Sequence, residues 1–179
     1  MQTESNMTSV HSKGTLSDNT GSISFVGNCA PKAAFDIQLT GKNKAGKLIT
    51  VEYLTVKSGF WSRSHGAKKA WGKWKKGPGY NADIFIQFVS ILCPQLDAQE
   101  LAKATLSQVD TLVNDLGDEQ VAATPVRHLQ LASSGSSLDI YFAQSTYYWV
   151  LLKTFDQSSQ LQTSVTYSRF NQVKLKAPG

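Results

Sequence analysis

Several stretches of this chain alternate apolar and polar residues at a period of two, which suits strands that bury one face and wet the other. Phe35, Ile37 and Leu39 alternate with Asp36, Gln38 and Thr40, and Ile49, Val51 and Tyr53 fall on one side of the β-branched run from 48 to 56. Between these runs GKNKAGK, residues 41 to 47, reads as a basic turn, so the two should form a hairpin with Lys42, Lys44 and Lys47 at its tip. From Val126 onward VRHLQLA, SLDIYFA, STYYWVLLKTF and LQTSVTYSRF follow one another with short polar connections, the pattern of consecutive antiparallel strands.

Two segments interrupt that pattern. DIFIQFVSIL, residues 83 to 92, is a nearly continuous apolar run ended by Pro94, and its length and β-branched content predict a buried strand. Asp97 and Glu100 have the spacing of a helix cap, Leu101, Thr105, Val109, Leu112 and Leu116 keep one helical face, and Gly117 supplies a stop. The expected fold is mainly β, a β-sandwich or curved antiparallel sheet of about seven or eight strands, with one amphipathic helix near 97–116 packed on it or across an open end. Residues 1–21 are polar and without hydrophobic period, which predicts a disordered or partner-ordered arm, and 22–179 is expected to be a single β-rich domain.

With 179 residues the chain is long enough to bury a core without metal or disulfide support. Charged residues make up only 17% of it, and Ser, Thr, Gln and Asn fill the remainder of a polar surface. No stretch approaches the roughly 20 apolar residues of a membrane-spanning helix, and the N-terminal segment has no apolar run of signal-peptide length. A soluble protein, cytoplasmic or part of a virion, is the expectation. Cys29 and Cys93 make no metal spacing; two buried, reduced thiols are expected, with an oxidised pair as the alternative.

Charge is concentrated in one place. Residues 57–80 carry Lys57, Arg63, Lys68, Lys69, Lys73, Lys75 and Lys76 with no acid, interleaved with Phe60, Trp61, Trp71, Trp74 and Tyr80. Residues 92 to 139, by contrast, hold seven acids against Lys103 and Arg127. Glycines at 59, 66, 72, 77 and 79 with Pro78 predict a long irregular loop in the basic segment.

Cations beside flat rings suit a polyanion with stackable bases. The expected site is therefore nucleic-acid-binding, with Lys57, Arg63, Lys68, Lys69, Lys73, Lys75 and Lys76 on phosphates and Trp71, Trp74 and Tyr80 stacking. Indoles buried as anchors, with lysines solvating the outer edge, are the structural alternative. A lipid-headgroup surface or pore-forming β protein also suits Lys with Trp, and a homo-oligomer would place the segment on an acidic face of a neighbour.

Catalytic signals are sparse. GAKKAWGK, residues 66–73, misses the phosphate-loop spacing by one residue and has Trp74 where the hydroxyl belongs. His11 and His128 lack a ligand or carboxylate at a useful spacing; His65, among cations, offers general acid–base cleavage of RNA if tertiary structure brings Glu52 or Asp83 near. No metal set, cofactor fingerprint or nucleophile motif is present. The sequence points to a non-enzymatic binding or structural protein, in a virion or nucleoprotein assembly.

Overall fold

The computed structural model describes residues 7–18, 21–30, 34–67, 69–77 and 112–178. These form eleven strands: β1 (Val10–Asp18), β2 (Gly21–Ala30), β3 (Ala34–Lys42), β4 (Leu48–Val56), β5 (Gly59–Gly66), β6 (Lys75–Gly77), β7 (Leu112–Val121), β8 (Thr124–Ser133), β9 (Ser136–Ala143), β10 (Trp149–Asp156) and β11 (Leu161–Ser168). All belong to one antiparallel sheet in the order β6-β5-β4-β3-β2-β1-β11-β10-β9-β8-β7. Every neighbour is consecutive in the chain except β1 and β11, whose pairing joins two meanders at the centre and leaves β6 and β7 as edges.

Local chemistry sets the hairpins. Asn43 accepts the amides of Ala45 and Lys47 on its side-chain oxygen, both at 3.0 Å, and Gly46 takes φ +70°. The turn expected at 41–47 thus closes with an Asx motif and a left-handed residue. Asp156 does the same between β10 and β11, accepting Ser158 and Gln160 amides at 2.9 Å. Two-residue turns join β4 to β5, β7 to β8 and β8 to β9, as the pairs Val56–Gly59, Val121–Thr124 and Ser133–Ser136 require. Beyond β11 the chain is tied to its own start, with the Asn171 amide donating to Ser9 O at 2.8 Å and the Val173 amide to Ser9 Oγ at 2.9 Å.

The mainly β expectation and the consecutive C-terminal strands hold. Of the two architectures expected, the antiparallel sheet is present and the sandwich is not. Three other expectations are corrected. Among the described residues there is no helix. The helix expected near 97–116 is not supported: residues 112–116 begin strand β7, and 97–111 lie outside the described residues, as does the run 83–92. Leu112 and Leu116, four apart, fit a helical face, yet the bulge between Asp115 and Gly117 shifts the strand's phase there. Gly117 takes φ +99°, so it serves the bulge instead of a helix end.

The segment expected as a disordered or partner-ordered arm supplies β1, which gains both its partners, β2 and β11, from the same chain. Finally, the basic segment is not an irregular loop throughout, since β5 pairs with β4 along its whole length and β6 adds to β5.

Candidate functional site on the apolar face of the sheet

Directly paired residues share a face, so the register sorts every side chain. Ile37 lies between Gly27 and Tyr53, Leu39 between Phe25 and Val51, and Phe35 between Cys29 and Thr55. Across β1 the same face continues through Val10, Leu16 and Val165 to Leu152, Ile140, Leu138, Leu129 and Leu131. One side of the sheet is therefore apolar across nearly its whole width. Val10, Phe25, Phe35, Ile37, Ile140, Leu152 and Val165 are buried there in one cluster with Met7, Trp149 and Tyr167. Burial pushes the Tyr167 phenol well above its ordinary value. Among the described residues no second sheet or helix packs on this face, and the substantial contacts between strands are all between hydrogen-bonded neighbours.

Two cavities open at one end of the apolar face, where Gly41, Ile49 and Gly66 stand in register across β3, β4 and β5. The first, of about 730 Å³, separates the ends of the β1–β2 and β3–β4 hairpins and is lined by Leu16, Ile23, Gly41 and Leu48 with the hydroxyls of Ser22 and Thr40. Its volume lies within the range of small-molecule sites. Asp18 and Lys42 also line it; Ile23 on the apolar face is 39% exposed at its mouth, and Leu48, paired with Lys42, faces the other side of the sheet. The second, of about 330 Å³, lies between Ile49 and Val51 on one side and Ala70 and Gly72 on the other, with His65 and Lys69 on its rim.

The opposite face is polar and laced with side-chain bonds. Gln38 donates to Glu52 at 3.0 Å, Glu52 accepts Arg63, and His11 bonds Asn28 at 2.8 Å. Asp36 sits in this network; burial, then the adjacent Glu52 carboxylate, pushes its carboxyl up to about 6. Farther along, the His128 ring stacks on Tyr141 with centroids 4.1 Å apart and meets Glu119 at 2.7 Å and Asp139 at 3.4 Å. Burial, with the Asp139 and Glu119 charges behind it, raises the Tyr141 phenol. On the apolar-face side near the β7 edge, in phase with Leu129, Arg127 straddles the β7 bulge by bonding both Asp115 and Asp118, and its bond to Asp115 holds that carboxyl below the ordinary range.

The residues singled out in the basic segment fall in several elements, and Arg63 draws two of its indoles together. Lys57 sits at the β4–β5 turn, Arg63 is internal to β5, Lys69, Trp71, Lys73 and Trp74 lie between β5 and β6, and Lys75 and Lys76 are in β6. Lys68 and Tyr80 fall outside the described residues. The Arg63 guanidinium lies 4.5 Å from the Trp71 ring centre and 4.3 Å from that of Trp74, while the Lys76 ammonium lies 5.6 Å from Trp61. All three indoles are half-buried. Each has a cation of its own chain within reach of one ring face.

His65 donates through Nδ1 to the Gly66 carbonyl at 2.9 Å and meets Trp71 edge-on at 4.3 Å. Glu52, expected as a possible catalytic partner for it, is held by Arg63 and Gln38 and does not serve it; Asp83, the other expected partner, lies outside the described residues. Cys29 is fully buried and disulfide-bonded, against the expectation of reduced thiols; the chain's other cysteine, Cys93, lies outside the described residues. Among the described residues no cluster of three or more His, Cys, Asp or Glu side chains has metal-site geometry.

No protein-family profile and no curated protein matches the sequence. Solved structures do match the fold. Lipoprotein LppX of Mycobacterium tuberculosis superposes with a TM-score of 0.54 at 11% identity, covering 96% of this chain and 91% of LppX. MucB aligns with a TM-score of 0.43 at 11% identity, and this chain, 95% covered, spans 55% of MucB. A LolA superfamily protein of Nitrosomonas europaea aligns with a TM-score of 0.27 at 10% identity, covering 95% of this chain and 86% of that one.

The LppX-like fold, with the indoles stacked on their own cations, overturns the expectation of a nucleic-acid-binding or virion structural protein. The expectation of nucleic acid as the partner falls with it. The apolar-face residues that line the candidate site, Leu16, Ile23, Ile49 and Val51, carry no motif. Period-two alternation in β3 and β4 was their only signal, and it reads equally well as ordinary core.

Proposed function

We propose that this chain binds a ligand with a long apolar chain against the apolar face of its sheet, as a carrier or receptor rather than an enzyme. The observation that carries this is the apolar face itself, which runs from β5 through β1 to β8 and ends in a cavity of about 730 Å³ with partly exposed Ile23 at its mouth. Apolar side chains left accessible at a cavity mouth mark a binding site more often than a bare wall. Likeness of the fold to a lipoprotein agrees with that reading. The Cys29 disulfide supports an oxidising compartment as the place of work.

Titration with N-phenyl-1-naphthylamine, a neutral dye that brightens in apolar surroundings, tests the proposal. Saturable enhancement is expected, reduced about tenfold or more in affinity by Ile23→Asp, whose partly exposed side chain tolerates the change in the folded protein but places a charge in the cavity wall. No enhancement, or one unaltered by Ile23→Asp, would remove the proposal.

A further inference from the structure

The smaller cavity has a chemistry the apolar face alone does not explain. Its floor belongs to that face, through Ile49 and Val51, but its rim is polar and carries a cation, with Ser64 and Lys69. Lys69 is positioned locally, since its amide donates to Gly66 O at 3.1 Å. Its aliphatic stem passes over Gly66, whose missing Cβ would lie 3.7 Å from Lys69 Cδ. Glycine at 66 therefore leaves room for that stem to lie flat. Among the described residues Lys69 makes no ion pair, and it is exposed.

The nearest acid on the adjoining strand does not serve it, because Glu52 lies on the opposite face and is bound by Arg63 and Gln38. No acid occurs anywhere from residue 57 to 80. His65 pairs with Thr50 and turns its ring to Trp71 on the other face of β5, so Lys69 is the cation at this rim. An apolar floor continuous with the sheet face, ending at an ammonium that no acid among the described residues pairs, matches a molecule with a hydrocarbon tail and a negative head.

Resting on the carrier function proposed above, we infer that the ligand is an anionic amphiphile, its carboxylate or phosphate head held by Lys69 at the cavity rim and its tail laid along Ile49 and Val51. The cationic segment then has a role that needs no bases: it reads the charge of a lipid head. An exposed ammonium offers a modest, salt-screened gain, so selectivity over a neutral head should be about fivefold.

Competition against bound N-phenyl-1-naphthylamine separates this inference from the function it rests on. Three twelve-carbon competitors are compared at low salt and below their micellar concentrations: dodecanoate, dodecyl phosphate and the neutral dodecanamide. The expected result is displacement by at least one anionic competitor at about fivefold lower concentration than the amide. That advantage should disappear in Lys69→Gln and shrink at high salt, with dodecanamide unaffected in either case. Whichever anion gains more identifies the head. Equal displacement by all three, or an anionic advantage that survives Lys69→Gln, overturns the headgroup site while leaving apolar binding intact. Absence of dye binding altogether overturns both.

Discussion

Arg63 holds three partners at once, the Glu52 carboxylate and the faces of Trp71 and Trp74. Glu52 is only 4% exposed, so the guanidinium neutralises a carboxylate that water barely reaches. Replacing it leaves that charge buried and the indoles without their cation. Arg63→Met is expected to cost about 2 to 3 kcal/mol, measured as a shift in the urea midpoint with the slope unchanged. Asp36 makes the complementary prediction. Its carboxyl is raised from 3.8 to about 6 in the folded chain. Between those values the native state keeps a proton that the unfolded state has released, so this group's contribution to stability falls as pH rises through the window. Asp36→Asn should therefore stabilise the protein relative to the parent at pH 7, and the difference should shrink towards pH 4; a difference constant across that range would contradict the assignment. None of this is legible in the sequence, because Asp36, Glu52 and Arg63 meet only once three strands are in register.

Strand β1 shows how much an element depends on its neighbours. Its sequence lacks a hydrophobic period, yet it sits at the centre of the sheet because Gly14 lets β11 and the Phe25 ring close over it. A Cβ on Gly14 would lie 2.2 Å from the Ser164 carbonyl oxygen and 2.8 Å from Phe25 Cζ. Gly14→Ala is accordingly expected to destabilise by about 1 to 3 kcal/mol, seen as a fall of several degrees in the thermal midpoint. The β3–β4 hairpin, by contrast, was readable in full: alternation gave its faces and Asn43 with Gly46 its turn. Strand β7 misled because its bulge spoils the period, and two leucines four apart survive as a false helical signal. The β5–β6 pair was obscured by glycine and lysine, residues that avoid strands on average but are tolerated at an edge, where one side of the strand is free.

At the level of the molecule, a disulfide and a ligand face bear on the same stability. Reduction of the Cys29 disulfide under native conditions should lower the unfolding free energy by about 2 to 5 kcal/mol, checked by urea titration with and without reductant. A ligand that binds only the folded state should act in the other direction, adding about 2.7 kcal/mol at a hundred times its Kd. Period-two alternation and turn chemistry are local, so they were enough to mark most strands and to say which side chains would share a face. That these faces merge into one apolar surface was decided elsewhere. It depends on β1 pairing with β11, residues such as Ser12 and Tyr167 that lie far apart in the chain. Many strands with one apolar side can pair with one another; only the whole sheet, by burying the most apolar surface in a single register, selects among them.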